Sequence, residues 1–237
     1  MADDSEQVYN RSVFRHGHLL ARPMQPHGEA LPTGLHPLDL DSKRDGLLYV
    51  PANYRPDRPA PLVLMLHGAG STGRNGLVPL LPLADASGLL LLAPDSRQQT
   101  WDVIVDGYGP DVAFIDHALV RTFHHYAVDP AHLAVGGFSD GASYALSLGL
   151  TNGDLFTHII AFSPGFMAPG GRQGLPRIYI SHGTQDRVLP VERCSRRIVP
   201  QLKREGYDVH YHEFDGPHTV PQSVAREAIT WFVNTTQ

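Results

Sequence analysis

Gly137-Phe138-Ser139-Asp140-Gly141 follows the apolar run His132-Leu133-Ala134-Val135-Gly136 and opens a second apolar run, residues 142–150, that can wind as a helix. The order is strand, sharp turn, helix, with a serine at the turn. A serine in such a turn has a strained backbone, and strand and helix can pass closely only if the residues two before and two after it are very small. Gly137 and Gly141 meet that demand. The turn lifts the hydroxyl above the carboxyl ends of the strands, where a base can reach it and a carbonyl can approach. Ser139 is therefore the candidate nucleophile.

A chain with 23 glycines in 237 residues can produce Gly-x-Ser-x-Gly by chance, so the pentapeptide is weighed in its context. Upstream, Leu62-Val63-Leu64-Met65-Leu66-His67-Gly68-Ala69-Gly70 is a second strand ending in glycines, and two strand ends downstream carry an acid and a histidine. From residue 61 onward strands and helices alternate. Strands are expected at 62–66, 89–93, 132–136, 158–162, 177–181 and 208–214. Helices are expected at 76–87, 111–126, 140–150, 191–205 and 219–233. Such alternation predicts an α/β protein with a mostly parallel central sheet, right-handed crossovers and helices on both faces. Chemistry then belongs at the carboxyl ends of the strands.

Before residue 61 the signals are weaker. Residues 1–12 are polar and read as disordered, 17–26 as a first edge strand, and 45–51 as a strand. The stretch 23–37, with four prolines and two glycines, reads as a turn-rich connection that cannot be a helix. The remainder, 13–237, is expected to form a single domain. The stretch 163–176 is too short for a helical lid domain, which predicts a shallow cleft open to solvent.

With 42% hydrophobic and 18% charged residues the composition is that of a soluble globule. No window approaches the roughly 18 consecutive apolar residues that span a bilayer, so no integral membrane segment is expected. A net charge of -5 with scattered signs offers no basic stripe for nucleic acid. The acidic start, Met1-Ala2-Asp3-Asp4-Ser5-Glu6, is unlike a secretory signal, and the single cysteine, Cys194, suits a reducing compartment. Both predict a cytoplasmic protein. Fourteen histidines invite a metal, but none has ligand spacing, so no metal is expected.

A serine hydroxyl needs a base, and the base needs an acid to fix its tautomer. Strand 177–181 leads into His182-Gly183-Thr184-Gln185-Asp186, which puts Asp186 just past a strand end. The last strand leads into Asp215-Gly216-Pro217-His218, which puts His218 before the final helix. Asp186 is preferred over Asp215 as the acid because Asp215 lies at its strand end. His218 is preferred over His182 as the base because His182 precedes the acid. Two backbone N–H groups should hold the oxyanion: that of Asp140, at a helix amino end, and that of Ala69, with Gly70 as the alternative. His67 should orient this loop. Trp101, Phe138, Phe166 and Met167 are candidates to line the substrate pocket, with burial in the core as the alternative for Trp101.

These pieces, Leu66-His67-Gly68-Ala69-Gly70, Gly137-Phe138-Ser139-Asp140-Gly141, Gly183-Thr184-Gln185-Asp186 and Gly216-Pro217-His218, resemble an α/β hydrolase of the phospholipase/carboxylesterase and dienelactone hydrolase group. The chain is similar also to poly(3-hydroxybutyrate) depolymerase-like and feruloyl esterase-like proteins. The resemblance covers roughly residues 45–235. It implies the α/β-hydrolase fold, the triad Ser139, His218 and Asp186, and hydrolysis of a small-molecule ester through an acyl-serine intermediate without a cofactor. Thioester and polyester substrates, or a ligand receptor on the same fold, are the competing readings. Asp140 departs from the related pattern by placing a carboxylate beside the oxyanion hole, and Ala142 stands where many relatives have a second glycine. The first forty residues match no motif and are left to shape the cleft or to build a homodimer contact.

Overall fold

The computed structural model describes residues 12–30 and 32–234. Its strands are β1 Gly34–Pro37, β2 Gly46–Val50, β3 Ala60–Leu66, β4 Leu90–Pro94, β5 Val128–Phe138, β6 His158–Phe162, β7 Arg177–Gly183 and β8 Val209–Phe214. They form one sheet in the order β1-β2-β4-β3-β5-β6-β7-β8. The β1–β2 and β2–β4 pairs are antiparallel and every pair from β4 to β8 is parallel. The helices are α1 Gly73–Leu77, α2 Ala84–Ser87, α3 Asp102–Val105, α4 Pro110–His125, α5 Asp140–Thr151, α6 Ser195–Arg204 and α7 Gln222–Asn234.

Both faces of the sheet are covered, which is why its central strands are continuous apolar runs rather than alternating ones. In β3, Leu62, Leu64 and Leu66 join one core with residues of α4, α5 and α6. Val63 and Met65 of the same strand face a second core with Leu77 of α1 and Val224, Ala225 and Phe232 of α7. This is the α/β-hydrolase fold, and residues 163–176 between β6 and β7 contain no helix.

Three expectations need correction. Residues 17–26 form no strand. The N–H of Leu19 donates to Asn152 Oδ1 at 2.8 Å, and those of Leu20 and Ala21 donate to Asp116 Oδ1 at 2.7 Å. The backbone donors of this segment are thus satisfied by helix side chains, and it lies over α4 and α5. The edge strand comes instead from β1, inside the stretch expected to be only turns, and an edge position tolerates its Pro37. The expected helix 76–87 is broken into α1, a 3-10 turn at Leu81–Leu83, and α2. Pro79 and Pro82 each remove a helix donor and clash with the preceding turn. The expected disorder over 1–12 lies outside the described residues except for Ser12, which stands in a helical turn.

His158 in β6 carries a pH prediction. It is buried, accepts or donates a hydrogen bond with Thr157 Oγ1 at 2.8 Å, and stacks on His132. Burial, with smaller contributions from His132 and Arg177, pushes its pKa down to about 4. An unfolded imidazole takes its proton near about pH 6.5, so below that value the unfolded state binds the proton first. The stability this group contributes is complete above about pH 6.5 and is lost as the pH falls through about 4. This group alone should therefore contribute a loss of about 3 kcal/mol to the stability read by urea unfolding between pH 7 and pH 4. The loss should shrink in His158→Gln; an equally steep loss in that variant would assign the acid sensitivity elsewhere.

Candidate active site

Ser139 sits between β5 and α5 at φ 59° and ψ -120°, a backbone conformation that costs a non-glycine residue energy. The turn is fixed from both sides. The Ser139 N–H donates to the Phe162 carbonyl at 3.0 Å, and its own carbonyl accepts the N–H groups of Ala142 and Ser143 at 3.0 Å. A Cβ on Gly137 would overlap the backbone of Gly141, and one on Gly141 would overlap the Leu66 carbonyl. The two glycines are small because strand and helix pass in direct backbone contact.

The loops after β7 and β8 meet above this turn. The Gln185 N–H donates to the Gly216 carbonyl at 2.9 Å, and Gly183 leaves no room for a Cβ against that carbonyl. Three side chains are thereby aligned. His218 Nε2 lies 2.9 Å from Ser139 Oγ, and His218 Nδ1 lies 2.5 Å from Asp186 Oδ2. A carboxylate only accepts, so Nδ1 carries the hydrogen and Nε2 is free to take the serine proton. Asp186 is buried, and its Oδ1 accepts the N–H groups of Val188 at 2.9 Å and Leu189 at 2.8 Å. Burial opposes its charge, but the Leu189 N–H and His218 outweigh that and hold its pKa below the ordinary carboxylate value.

The rivals stand elsewhere. Asp215 accepts the side-chain amide of Gln185 at 2.6 Å on the surface. His182 is buried under the Asp186 loop, with Nδ1 2.7 Å from Ser195 Oγ and Nε2 2.7 Å from the Leu189 carbonyl.

The loop after β3 faces Ser139 from the other side. A Cβ on Gly68 would come within 3.5 Å of Ser139 Cβ. The Ser96 N–H donates to His67 Nε2 at 3.0 Å, so the hydrogen is on Nδ1, which donates to the Gly68 carbonyl at 2.8 Å. Burial lowers the His67 pKa and keeps the ring neutral in this role. Gly70 is withdrawn as an oxyanion donor, because its N–H is committed to the Gln99 carbonyl at 2.7 Å. No acceptor among the described residues engages the N–H of Ala69 or of Asp140, the latter in the first turn of α5. The Asp140 carboxylate turns to the Thr100 hydroxyl, which donates to it at 2.6 Å.

Trp101 is not a pocket residue. It is wholly buried, stacks on Tyr144 at 5.1 Å, and donates Nε1–H to the His67 carbonyl at 2.8 Å. Tyr144 donates in turn to Asp102 Oδ1 at 2.9 Å. The segment 96–101 after β4 thus clamps the 67–70 loop through Ser96, Gln99 and Trp101. Only its place past a strand end pointed to it in the sequence.

The cleft beside Ser139 measures about 470 Å³ and is lined by Ala69, Val78, Pro79, Phe138, His218 and Val220, among others. Phe138 stands on its wall and packs on the His218 ring at 4.6 Å between centroids. Phe166 and Met167 do not line this cleft. Their segment is fastened along α5 by Ser143, Ser147 and Thr151, whose hydroxyls accept the N–H groups of Gly165, Ala168 and Gly170 at 2.9, 2.8 and 3.1 Å. Met167 packs against the core there. The contribution of Val78, Pro79 and Val220 was not read from the sequence. Among the described residues no group of acids, histidines and cysteines could hold a metal, and no helix is long and apolar enough to cross a membrane.

A sequence model of the phospholipase/carboxylesterase family matches residues 113–236, just over half of the chain. Feruloyl esterase C of Emericella nidulans is 29% identical over 158 residues, covering 63% of this chain and 57% of the relative. The match thus spans less than two thirds of that relative's length. The solved structure of esterase PE8 superposes with a TM-score of 0.65 at 26% identity, over 80% of this chain and 98% of the other. A ferulic acid esterase from Anaeromyces mucronatus, solved with ferulic acid, shares the fold with a TM-score of 0.62 at 20% identity, over 91% and 94% of the two chains.

Proposed function

The chain belongs to the phospholipase/carboxylesterase family, and from that premise we propose that it is a serine carboxylesterase acting on small to medium acyl or aromatic esters. The observation that carries the reading is the unbroken line from Ser139 Oγ through His218 to Asp186, with contacts of 2.9 and 2.5 Å. In the proposed reaction His218 Nε2 takes the hydroxyl proton as Ser139 Oγ attacks the ester carbonyl. The N–H groups of Ala69 and Asp140 hold the oxyanion without reorganising. Collapse breaks the ester bond, and the alcohol leaves with the proton from His218. Water, activated by the same imidazole, then releases the acid and restores Ser139. Asp186 stays ionised throughout and stabilises the imidazolium.

The substrate class rests on the cleft. Val78, Pro79, Phe138 and Val220 offer apolar walls to an acyl chain or an aromatic ring, and the relatives named as feruloyl esterases support the aromatic choice. The reaction as drawn uses no cofactor. The lone cysteine, Cys194, is buried and free, which supports a cytoplasmic setting. A second reading, a thioesterase, lysophospholipase or polyester depolymerase, is favoured by the exposed cleft rim, where Val78 is 59% exposed. The discriminating experiment is hydrolysis of a p-nitrophenyl ester series from acetate to palmitate, with methyl ferulate, an acyl thioester and a polyester film at matched enzyme concentration. Turnover greatest on short or aromatic oxygen esters is expected. Hydrolysis confined to the thioester or the film would move the second reading to the front, and binding without turnover would favour a receptor.

A further inference from the structure

We propose that His182 is a positioning residue: a neutral imidazole that donates its Nε2 hydrogen into the Asp186–Leu189 turn and thereby holds the Asp186 carboxylate toward His218. The proposal rests on the reading of Ser139, His218 and Asp186 as the reacting line. His182 is the penultimate residue of β7, and its side chain and that of Asp186 are both fully buried. Its Nε2 lies 2.7 Å from the Leu189 carbonyl and 3.3 Å from Asp186 Oδ2. Both of those oxygens only accept, so Nε2 carries the hydrogen. The opposite nitrogen, Nδ1, is then an acceptor, and Ser195 Oγ at 2.7 Å is its donor. Ser195 opens α6 and has no exposed surface, so the tautomer is fixed from both ends of the ring.

The consequence is a turn held twice at one residue. The Leu189 carbonyl accepts from His182, while the Leu189 N–H donates to Asp186 Oδ1 at 2.8 Å. Oδ2 receives the His218 N–H at 2.5 Å, and His182 Nε2, whose hydrogen goes to the Leu189 carbonyl, lies 3.3 Å from the same oxygen. Burial lowers the His182 pKa, against the pull of the Leu189 carbonyl and Asp186, so the ring does not become a cation competing with His218. The other titratable groups around it are the Cys194 thiol, with Arg193 beside it, and Glu213 of β8, which lies opposite His182 in the sheet and is bound by Arg196 at 2.7 Å. None of these donates to the Leu189 carbonyl in place of His182 Nε2.

A turn fixed at Leu189 keeps the Asp186 carboxylate against His218 Nδ1. Releasing it loosens that bond, so the imidazolium is less well stabilised and the acid limb moves to lower pH. A residue that merely fills space would not move that limb.

The test compares the wild type with His182→Leu, His182→Gln and Ser195→Ala. It reads kcat and KM for p-nitrophenyl acetate, the pH dependence of kcat/KM, and the downfield proton resonance of the His218 Nδ1–H bond. In His182→Leu we expect kcat to fall on the order of tenfold with KM changed by less than about twofold, and the acid limb to fall by about half a pH unit. The downfield resonance should shift. His182→Gln, which retains an N–H donor, should recover part of each effect, and Ser195→Ala should show a smaller change of the same sign. A folded His182→Leu with wild-type kcat, an unmoved limb and an unmoved resonance would overturn the proposal. If His182→Leu does not fold, Ser195→Ala decides by the same three readouts. Should the wild type hydrolyse no ester, the esterase reading fails, and the resonance alone still decides whether His182 acts on the Asp186–His218 bond.

Discussion

Replacing Ser139 by alanine should lower ester hydrolysis by roughly 10⁴-fold or more while the melting temperature stays within about two degrees of the wild type. The size follows from what the hydroxyl does. In the proposed reaction it is the atom that forms the acyl bond, and the remaining N–H donors could stabilise only the slow attack of water. The small thermal effect follows from its contacts: among the described residues Oγ bonds only to His218 Nε2, at 2.9 Å, and the strained backbone is held by main-chain bonds that alanine keeps. Initial rates and circular-dichroism melting on the same preparation check both halves. A folded variant retaining a tenth of wild-type turnover would assign the nucleophile elsewhere.

The second large effect is on folding. Gly141 lies in the first turn of α5, where alanine would normally add about 1 kcal/mol of helix propensity. Here the sign reverses. A Cβ at this position would overlap the Leu66 carbonyl and stand 2.6 Å from that of His67, and neither is a flexible side chain that can swing aside. To relieve the overlap, β3 and α5 must move apart, which opens two of the most buried elements and displaces the 67–70 loop. Gly141→Ala should lose about 3 kcal/mol or more by urea unfolding, together with its activity. Gly171→Ala serves as the control, because a Cβ there meets nothing within 4 Å. Equal midpoints for the two variants would show that strand and helix are not in the close contact described.

These two residues also show why so much of the site was legible in the sequence. Gly137, Ser139 and Gly141 are bound by local geometry, so their spacing alone specifies the turn. The central strands were legible because burial on both faces makes them continuous apolar runs. Asp186 and His218 could be placed because each follows a strand end, and parallel strands deliver their loops to one edge.

What was not legible depends on contacts between distant segments. Nothing in the local sequence of Leu19 to Ala21 announces that Asn152 and Asp116 will take its backbone donors and keep it from the sheet. Trp101 past β4 reads equally as a rim or a core residue until its Nε1 is seen on the His67 carbonyl. The choice between Ala69 and Gly70 turns on a single carbonyl, that of Gln99, 29 residues beyond Gly70. The break at Pro79 and Pro82 was visible in the sequence, but the apolar spacing around it masked the two missing donors.

The most direct test of the account is covalent. Reaction with a fluorophosphonate probe, followed by intact mass and peptide mapping, should give one adduct per chain, on Ser139, and none in Ser139→Ala. Among the described residues the other serine whose hydroxyl bonds an imidazole, Ser195 against His182 at 2.7 Å, is wholly buried and should stay unmodified. An adduct on Ser195 or any other serine, or an enzyme that turns over esters yet takes no label at Ser139, would contradict the assignment of Ser139 as the acyl carrier.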